Sequence, residues 1–354
     1  MNNNPNQFPQ SAYFQEIIRK VVNGENLTAA EAELAFDVFM EGNASPVQMS
    51  SLLTAFQLKG VIPAELAGGV RALRKAMLEV TSEDSSQLVD TCGTGGGDIT
   101  TFNISTAAAF VACGAGVRIA KHGNRSFTSR SGSADVLEAL GVCIELNPEK
   151  MALVLKDVGL TFMFAPLLHP AMRHVGPVRR ELGFPTVMNI LGPLTNPARV
   201  GRQLVGVSDK AMVSLVIEAL RDLGHTSALV VHGEPGLDEI SPMGPTIVAE
   251  LSDGLLSEST VIPEDFDMKP CLAEELKGGD PEENAQIIMT VLRGENKGGA
   301  RSAVLLNAGA AIYVSGIERN LKEGVESAIR SLDSGKALGV LNLLRSTTPY
   351  SADG

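Results

Sequence analysis

The chain has 354 residues, with 29 Lys and Arg against 41 Asp and Glu and a formal net charge of −12. An acidic balance of that size, with no Trp and only three Tyr, argues against a nucleic-acid surface, which needs many phosphate-neutralising cations and aromatic stacking platforms. The length suits one large domain plus a smaller one, and 44% apolar residues describe an ordinary soluble core.

The N-terminal stretch MNNNPNQFPQ lacks both an apolar signal core and an Arg-rich amphipathic pattern, and reads as a frayed polar tail. From about residue 11 to 79 the pattern is helical throughout. Thr28 with Glu31, and Ser45 with Pro46 and Gln48, form capping-box starts, and Pro63 suits the first turn of a further helix. Leu34, Val38, Phe39, Leu52, Leu53 and Phe56 recur at helical spacing, which predicts a small bundle. So small a bundle needs a further surface to cover its apolar face, and is a candidate dimer contact.

The polar stretch 81–87 predicts a hinge. Beyond it, short apolar runs at 88–90, 117–120, 142–145, 161–164, 203–207 and 228–232 alternate with helical segments, the pattern of βαβ units and a largely parallel sheet. The segment 169–196 breaks that rhythm with two successive helices, the first bearing Arg173, Arg179 and Arg180. It predicts that the chain leaves the sheet and returns to the helical domain, with Arg179 facing the cleft between the lobes. A helix over 208–223, an irregular acidic region to about 279, a helix from Asp280-Pro281 and an apolar helix over 303–314 complete the chain. The predicted fold class is α/β. A small all-helical domain, residues 1–82 joined by the inserted helices 170–196, stands beside a larger α/β domain, residues 83–169 and 197–354, with a mostly parallel central sheet.

The chemistry concentrates between Val89 and Ser133. Gly93, Gly95, Gly96 and Gly97 follow an apolar run, and Asn103-Ile104-Ser105-Thr106 opens an apolar helix. Glycines let backbone N–H groups turn toward an anion, and the helix N-terminus adds a favourable field of roughly 0.3–1 kcal/mol. Neither a G-x-G-x-x-G fingerprint nor a P-loop ending is present, so the cradle fits phosphate without being a dinucleotide motif. Between Ile99 and Ala134 there is no acid, yet Arg118, Lys121, Arg125 and Arg130 all fall there, which suits a small polyanion. Asp238-Glu239, in a turn after His232-Gly233, is predicted at the same sheet edge, and hard cations such as Mg²⁺ take one or two carboxylates plus phosphate oxygens. Cradle and acidic pair together read as a magnesium–polyphosphate site.

Cys92, Cys113, Cys143 and Cys271 show no metal-binding spacing and are expected to be reduced and mostly buried, as in a cytoplasmic protein. The five scattered histidines make a zinc site an unsupported reading. The longest apolar run, 104–117, is too short to span a bilayer, so no membrane partner is expected.

These motifs together resemble the anthranilate phosphoribosyltransferase family of tryptophan biosynthesis, with its nucleoside phosphorylase/phosphoribosyltransferase fold. The resemblance rests on GTGG at 93–96, TFNIST at 101–106, KHGNRS at 121–126, SGSADVLEALG at 131–141, HPAMRHVGPVRRELG at 169–183, LGPLTNPA at 191–198 and LDEIS at 237–241. It implies transfer of the phosphoribosyl group of phosphoribosyl pyrophosphate (PRPP) to the anthranilate nitrogen, the second step of tryptophan synthesis from chorismate. It implies a homodimer through the helical domain and two Mg²⁺ per subunit, and it assigns no residue as general acid or base, since the reaction does not require a strong base.

By the same resemblance Gly93, Gly96, Gly97, Asp98 and Thr101 line the pyrophosphate and ribose loop, and Asn103, Ile104, Ser105 and Thr106 the phosphate-binding helix start. Lys121, His122, Gly123, Asn124, Arg125, Ser126, Phe127, Thr128, Ser129 and Ser133 wrap PRPP. Gly93, Asn124 and Arg179 meet anthranilate, and Ser105, Asp238 and Glu239 hold metal. The family pattern after GTGG is Asp-Gly; here it is Gly97-Asp98, which displaces the carboxylate by one residue. A pyrimidine nucleoside phosphorylase shares the implied architecture, but the acidic pair and Arg179 favour the transferase. A nucleic-acid-binding relative of the same fold would need the opposite charge.

Overall fold

The computed structural model describes residues 8–97, 99–126 and 130–349. The expectations placed on the first seven residues of the polar tail, and on Asp98, Phe127, Thr128 and Ser129 as PRPP contacts, lie outside the described residues.

Four helices come first: α1 (Phe8–Val22), α2 (Ala29–Met40), α3 (Pro46–Lys59) and α4 (Pro63–Ala76). Their starts are written locally. The Thr28 hydroxyl accepts from the Glu31 N–H (3.2 Å) while the Glu31 carboxylate accepts from the Thr28 N–H (2.9 Å). Ser45 and Gln48 repeat the exchange at 3.3 and 2.9 Å, and a cap of this kind contributes about 1 kcal/mol. Inside the bundle Phe36 stacks on Phe56 with centroids 6.1 Å apart and meets Phe39 edge-on at 5.6 Å. Glu65, 1% exposed, is held by Lys59 at 3.0 Å and by the Leu27 and Ile62 N–H groups, so its buried charge is both paired and hydrogen-bonded.

The chain then alternates strand and helix: β1 (Val89–Gly93), α5 (Ile104–Gly114), β2 (Ile119–Gly123), α6 (Ser133–Ala139), α7 (Pro148–Val158) and β3 (Leu160–Phe164). Three helices follow without a strand: α8 (Ala165–Leu168), α9 (Met172–Leu182) and α10 (Val187–Leu194). Next come β4 (Arg202–Gly206), α11 (Met212–Asp222), β5 (Ser227–Gly233), β6 (Thr246–Ser252) and β7 (Leu255–Val261). The chain closes with α12 (Pro281–Leu292), α13 (Gly299–Ser315), α14 (Leu321–Asp333) and α15 (Lys336–Thr347).

The seven strands form one sheet in the order β3-β2-β1-β4-β5-β6-β7. β1 to β5 run parallel, and β6 and β7 are antiparallel at one edge. The order reverses direction between β1 and β4, and at such a switch point the carboxyl ends of the strands leave a crevice for ligand. Alternation along the strands divides the apolar side chains between two faces. Leu204, Leu229 and Val231 join α5, α12, α13 and α15, while Val205, Val207 and Val230 join α11, α10, α9 and the N-terminal bundle. The inserted helices α9 and α10 pack against α2, α3 and α4.

Two expectations are corrected. Residues 142–145 form no strand with the described residues: Val142, Ile144 and Leu146 are buried alternately, and the Cys143 N–H reaches Thr348 O (3.3 Å), just past α15. The region expected to be irregular holds the β6–β7 hairpin, closed by Asp253-Gly254 with φ of +48° and +83°. An Asp-Gly pair at positive φ is the signal of a tight hairpin turn. Of the four cysteines, all free, only Cys113 is buried; the other three are half-buried.

Candidate active site

Four of the five parallel strands end on glycine: Gly93, Gly123, Gly206 and Gly233. The reason is spatial. The loop from Gly233 to Ser241 folds back across the strand ends, and a Cβ on Gly206 would lie 1.6 Å from Asp238 O, one on Gly93 2.2 Å from Asp238 Oδ2, and one on Gly233 2.5 Å from Glu239 O. A Cβ on Gly97 would lie 2.5 Å from Gly236 O. Glycine at these positions therefore seats the acidic pair directly on the glycine loop.

Two hydrogen bonds complete the seating. Gly95 N–H donates to Asp238 Oδ2 (2.8 Å), and Ser105 N–H, in the first turn of α5, donates to Glu239 Oε1 (3.1 Å). Gly95 and Gly96 take φ of +68° and +79° and face open space where a side chain would stand. Beneath the pair the buried Lys121 Nζ donates to Thr91 O and to Ser105 Oγ (3.2 Å). Burial pushes the Asp238 carboxyl above the usual range, and burial together with the Asp238 charge raises Glu239 to about 8, with Lys121 opposing both. Asp90, wholly buried behind Lys121, is raised to about 6 by burial while accepting from the His122 N–H (3.1 Å) and Asn196 Nδ2 (2.8 Å).

Among the described residues no cluster of three or more His, Cys, Asp or Glu side chains is arranged for a metal ion. The donors at hand are two carboxylates and the Ser105 hydroxyl, all hard oxygens, with one buried ammonium to balance two charges. That set fits a hard divalent cation completed by phosphate oxygens and water, and does not fit zinc.

The start of α5 is fixed from the side. Asn103 Nδ2 donates to Ser131 O (3.1 Å), and Asn103 Oδ1 accepts from Asn284 Nδ2 on α12 (2.9 Å) and from the Ser131 hydroxyl (3.3 Å). Ile104 and Thr106 are buried, the Ile104 N–H donates to Phe102 O (2.7 Å), and Thr101 forms an isolated bridge with Lys277.

Several residues expected to wrap PRPP have internal partners. Arg125 pairs with Asp135 (2.8 Å) and Glu138 on α6 and lies over the Phe164 ring; the His122 and His169 rings meet at 3.2 Å in the interior. Burial lowers both imidazoles, His169 to about 4. Asn124 O accepts from the Ser133 hydroxyl (3.3 Å), and a Cβ on Gly123 would lie 2.2 Å from that Ser133 Oγ, so Gly123, Asn124 and Ser133 form one tight corner, with the Ser126 N–H donating to Asp135. Arg179, in the last turn of α9, is half-buried and donates to Asn189 Oδ1 on α10 (3.3 Å). Burial lowers its pKa, and among the described residues it has no carboxylate partner. Gly206, Asn284 and Asn307 escaped the sequence reading, and Gly233 entered it only as the strand end before the acidic turn. The glycines carried a signal, each ending an apolar strand run; the asparagines carried none.

A helical lobe beside a parallel sheet whose edge holds a glycine loop and an acidic pair defines the class of two-lobed glycosyl transferases. The α/β-domain model of the glycosyl transferase family matches residues 85–338, and the helical bundle domain model of the same family matches residues 15–77. The chain is 52% identical over 327 residues to anthranilate phosphoribosyltransferase of Rubrobacter xylanophilus, covering 92% of this chain and 95% of that relative. The crystal structure of anthranilate phosphoribosyltransferase from Thermus thermophilus superimposes with a TM-score of 0.89 at 43% identity, covering 94% of this chain and 99% of that one. That from Saccharomyces cerevisiae in complex with PRPP and Mg does so at 0.86 and 28%, covering 95% and 98%. The chain belongs to the anthranilate phosphoribosyltransferase family.

Proposed function

We propose that the edge formed by β1, β2, β4 and β5 holds PRPP and that this chain transfers its phosphoribosyl group to anthranilate. The observation that carries this reading is the direct seating of Asp238 and Glu239 on the glycine loop and the start of α5, through Gly95 N–H and Ser105 N–H. The anthranilate nitrogen forms a bond to ribose C1 as the bond from C1 to pyrophosphate breaks; the electron pair leaves on pyrophosphate and one amine proton passes to water. The loop around Gly93, Gly96 and Gly97 offers N–H groups to the phosphates, the positive end of α5 adds a favourable field, and Lys121 adds a fixed charge beneath them. Asp238 and Glu239 would hold one Mg²⁺ and Ser105 a second, and the metal, when bound, neutralises charge on the leaving pyrophosphate. In the purified chain, loss of anthranilate fluorescence that depends on PRPP tests the reaction; no such loss overturns it.

The raised Glu239 carboxyl sets a pH dependence. Its folded pKa of about 8 lies above the unfolded value, so its protonated form stabilises the fold at low pH and that contribution is lost as pH rises toward about 8. A cation at this carboxylate must displace the proton. Apparent Mg²⁺ affinity is therefore expected to rise by up to about tenfold per pH unit between pH 6 and pH 8 and then level off. Titration calorimetry in buffers of different ionisation enthalpy reads the proton release, and equal affinity at both ends of that range removes Glu239 from the site.

Arg179 is a half-buried guanidinium with no carboxylate partner among the described residues, and a benzoate carboxylate supplies one in bidentate geometry. Arg179→Ala is expected to raise the KM for anthranilate by about tenfold or more, matching roughly 1.5–3 kcal/mol for a lost charged hydrogen bond, while the KM for PRPP moves little. Steady-state kinetics varying each substrate decide it; equal effects on both move Arg179 out of the acceptor site.

The helical lobe exposes Val22, Val47 and Leu58 by 62, 74 and 84% along a groove between α1 and α3, which supports a homodimer through that lobe. No helix among the described residues is long and apolar enough to cross a membrane, and four unpaired thiols suit a cytoplasmic setting.

A further inference from the structure

We infer that Asn307, in the middle of α13, is a positioning residue that holds the Asp238–Glu239 turn in register for the metal. The inference rests on the metal reading of that acidic pair.

Asn307 has no exposed surface and sits in a helix that is apolar on nearly every side, with Leu305, Leu306, Ala308 and Ala310 around it. A primary amide in such a place is costly unless every polar atom is engaged. Its partners lie mostly outside its own helix. Nδ2 donates to Ile240 O (3.1 Å) and to Ala303 O (2.9 Å), and Oδ1 accepts from the Ile240 N–H (2.9 Å). One side chain thus satisfies both backbone groups of the residue that follows Glu239, as a neighbouring strand would.

The rest of the loop is held at its two ends. Gly233 and Leu237 exchange backbone hydrogen bonds at 2.9 and 2.7 Å, and beyond Ile240 the Ser241 hydroxyl donates to Glu234 O (2.6 Å). Asp238 and Glu239 lie between the Leu237 pin and the Ile240 pin. Their carboxylates accept from the Gly95 and Ser105 N–H groups of the glycine loop and α5. Asn307 is the fixed point beneath them. A shift of about 1 Å in a metal-bearing turn is the kind of displacement that supporting side chains exist to prevent, and their loss costs about 10–100-fold in metal affinity or activity.

The test uses Mn²⁺ with inorganic pyrophosphate as the probe, free Mn²⁺ being read by electron paramagnetic resonance on the full chain. Wild type is expected to bind, and Asp238→Asn to bind more weakly; if they bind alike, the metal reading itself fails. Given that difference, Asn307→Ala is expected to raise the Mn²⁺ dissociation constant by about 10–100-fold, with the KM for anthranilate unchanged within about twofold. Ser331→Ala, which also removes a buried side-chain bond, to Val111 O (2.7 Å), is expected to leave Mn²⁺ binding as in wild type. Wild-type affinity in Asn307→Ala, or an equal loss in Ser331→Ala, overturns the inference. Should Asn307→Ala not fold, hydrogen exchange of the wild-type chain decides. An Ile240 amide exchanging as slowly as the amides of α13 supports it, and one exchanging as fast as Gly236 overturns it.

Discussion

Asp238→Asn is expected to lower kcat by about 10²–10³-fold while leaving the KM for anthranilate nearly unchanged. The substitution is chosen for shape: an amide oxygen can still accept from the Gly95 N–H, so the seating on the glycine loop survives and only the charge is lost. That charge matters most as pyrophosphate departs, because a cation held by it stabilises the leaving group more in the transition state than in the ground state. Stability is expected to move the other way. Burial raises the Asp238 pKa, so its ionised form burdens the folded state as pH rises, and the neutral amide removes that burden. At pH 8 without divalent cation the Tm of the variant should equal or exceed that of wild type. A kcat within about threefold of wild type would falsify the role given to this carboxylate.

Gly206→Ala is expected to cost both activity and stability, about 1–3 kcal/mol for a methyl forced into a packed site and about 10²-fold in kcat. The new Cβ would stand 1.6 Å from Asp238 O, a backbone atom that cannot swing aside as a flexible side chain would. Gly206 cannot retreat either, since it is paired with Gly93 on one side and Val231 on the other. The acidic turn must therefore lift off the sheet edge. Gly339→Ala serves as the control: it lies in α15 with nothing within 4 Å of its Cβ, and a helical Gly→Ala of this kind stabilises by roughly 0.5–1 kcal/mol. Chemical denaturation and steady-state kinetics on the two variants read the contrast, and equal activities would show that the turn tolerates displacement.

Much of the site was legible because its parts are local. The caps at Thr28–Glu31 and Ser45–Gln48 are reciprocal bonds between residues three apart, so a four-residue window contains them whole. The glycine loop and the start of α5 are likewise contiguous, and Asp238-Glu239 is one dipeptide. The misses divide by cause. The β6–β7 hairpin carried a local signal in Asp253-Gly254 that the acidic composition obscured. Residues 142–145 carried a false one: alternate burial marks a segment with one covered face, and the described backbone partner here is Thr348, just past α15, not one of the seven strands. The four local cations suggested a basic surface for a polyanion, yet Lys121 is buried under the acidic pair and Arg125 is paired on α6. Charge type is a property of sequence, whereas charge availability depends on which acids the fold brings near.

What the sequence by itself determined is therefore what short range and periodicity encode: the helical lobe, the run of parallel strands, the family of motifs and the identity of the acidic pair. Only the tertiary structure decided how those parts meet. Gly95 and Asp238 are separated by 143 positions, Ser105 and Glu239 by 134, and Asn307 and Ile240 by 67. Each of these bonds exists because parallel strands must cross over through helices before they can lie side by side, which gathers distant loops at one edge of the sheet. A hydrogen bond across such an interval leaves no trace in the residues between its ends, so the seating of the carboxylates, the glycines that permit it and the asparagine beneath it become visible only once the sheet has closed.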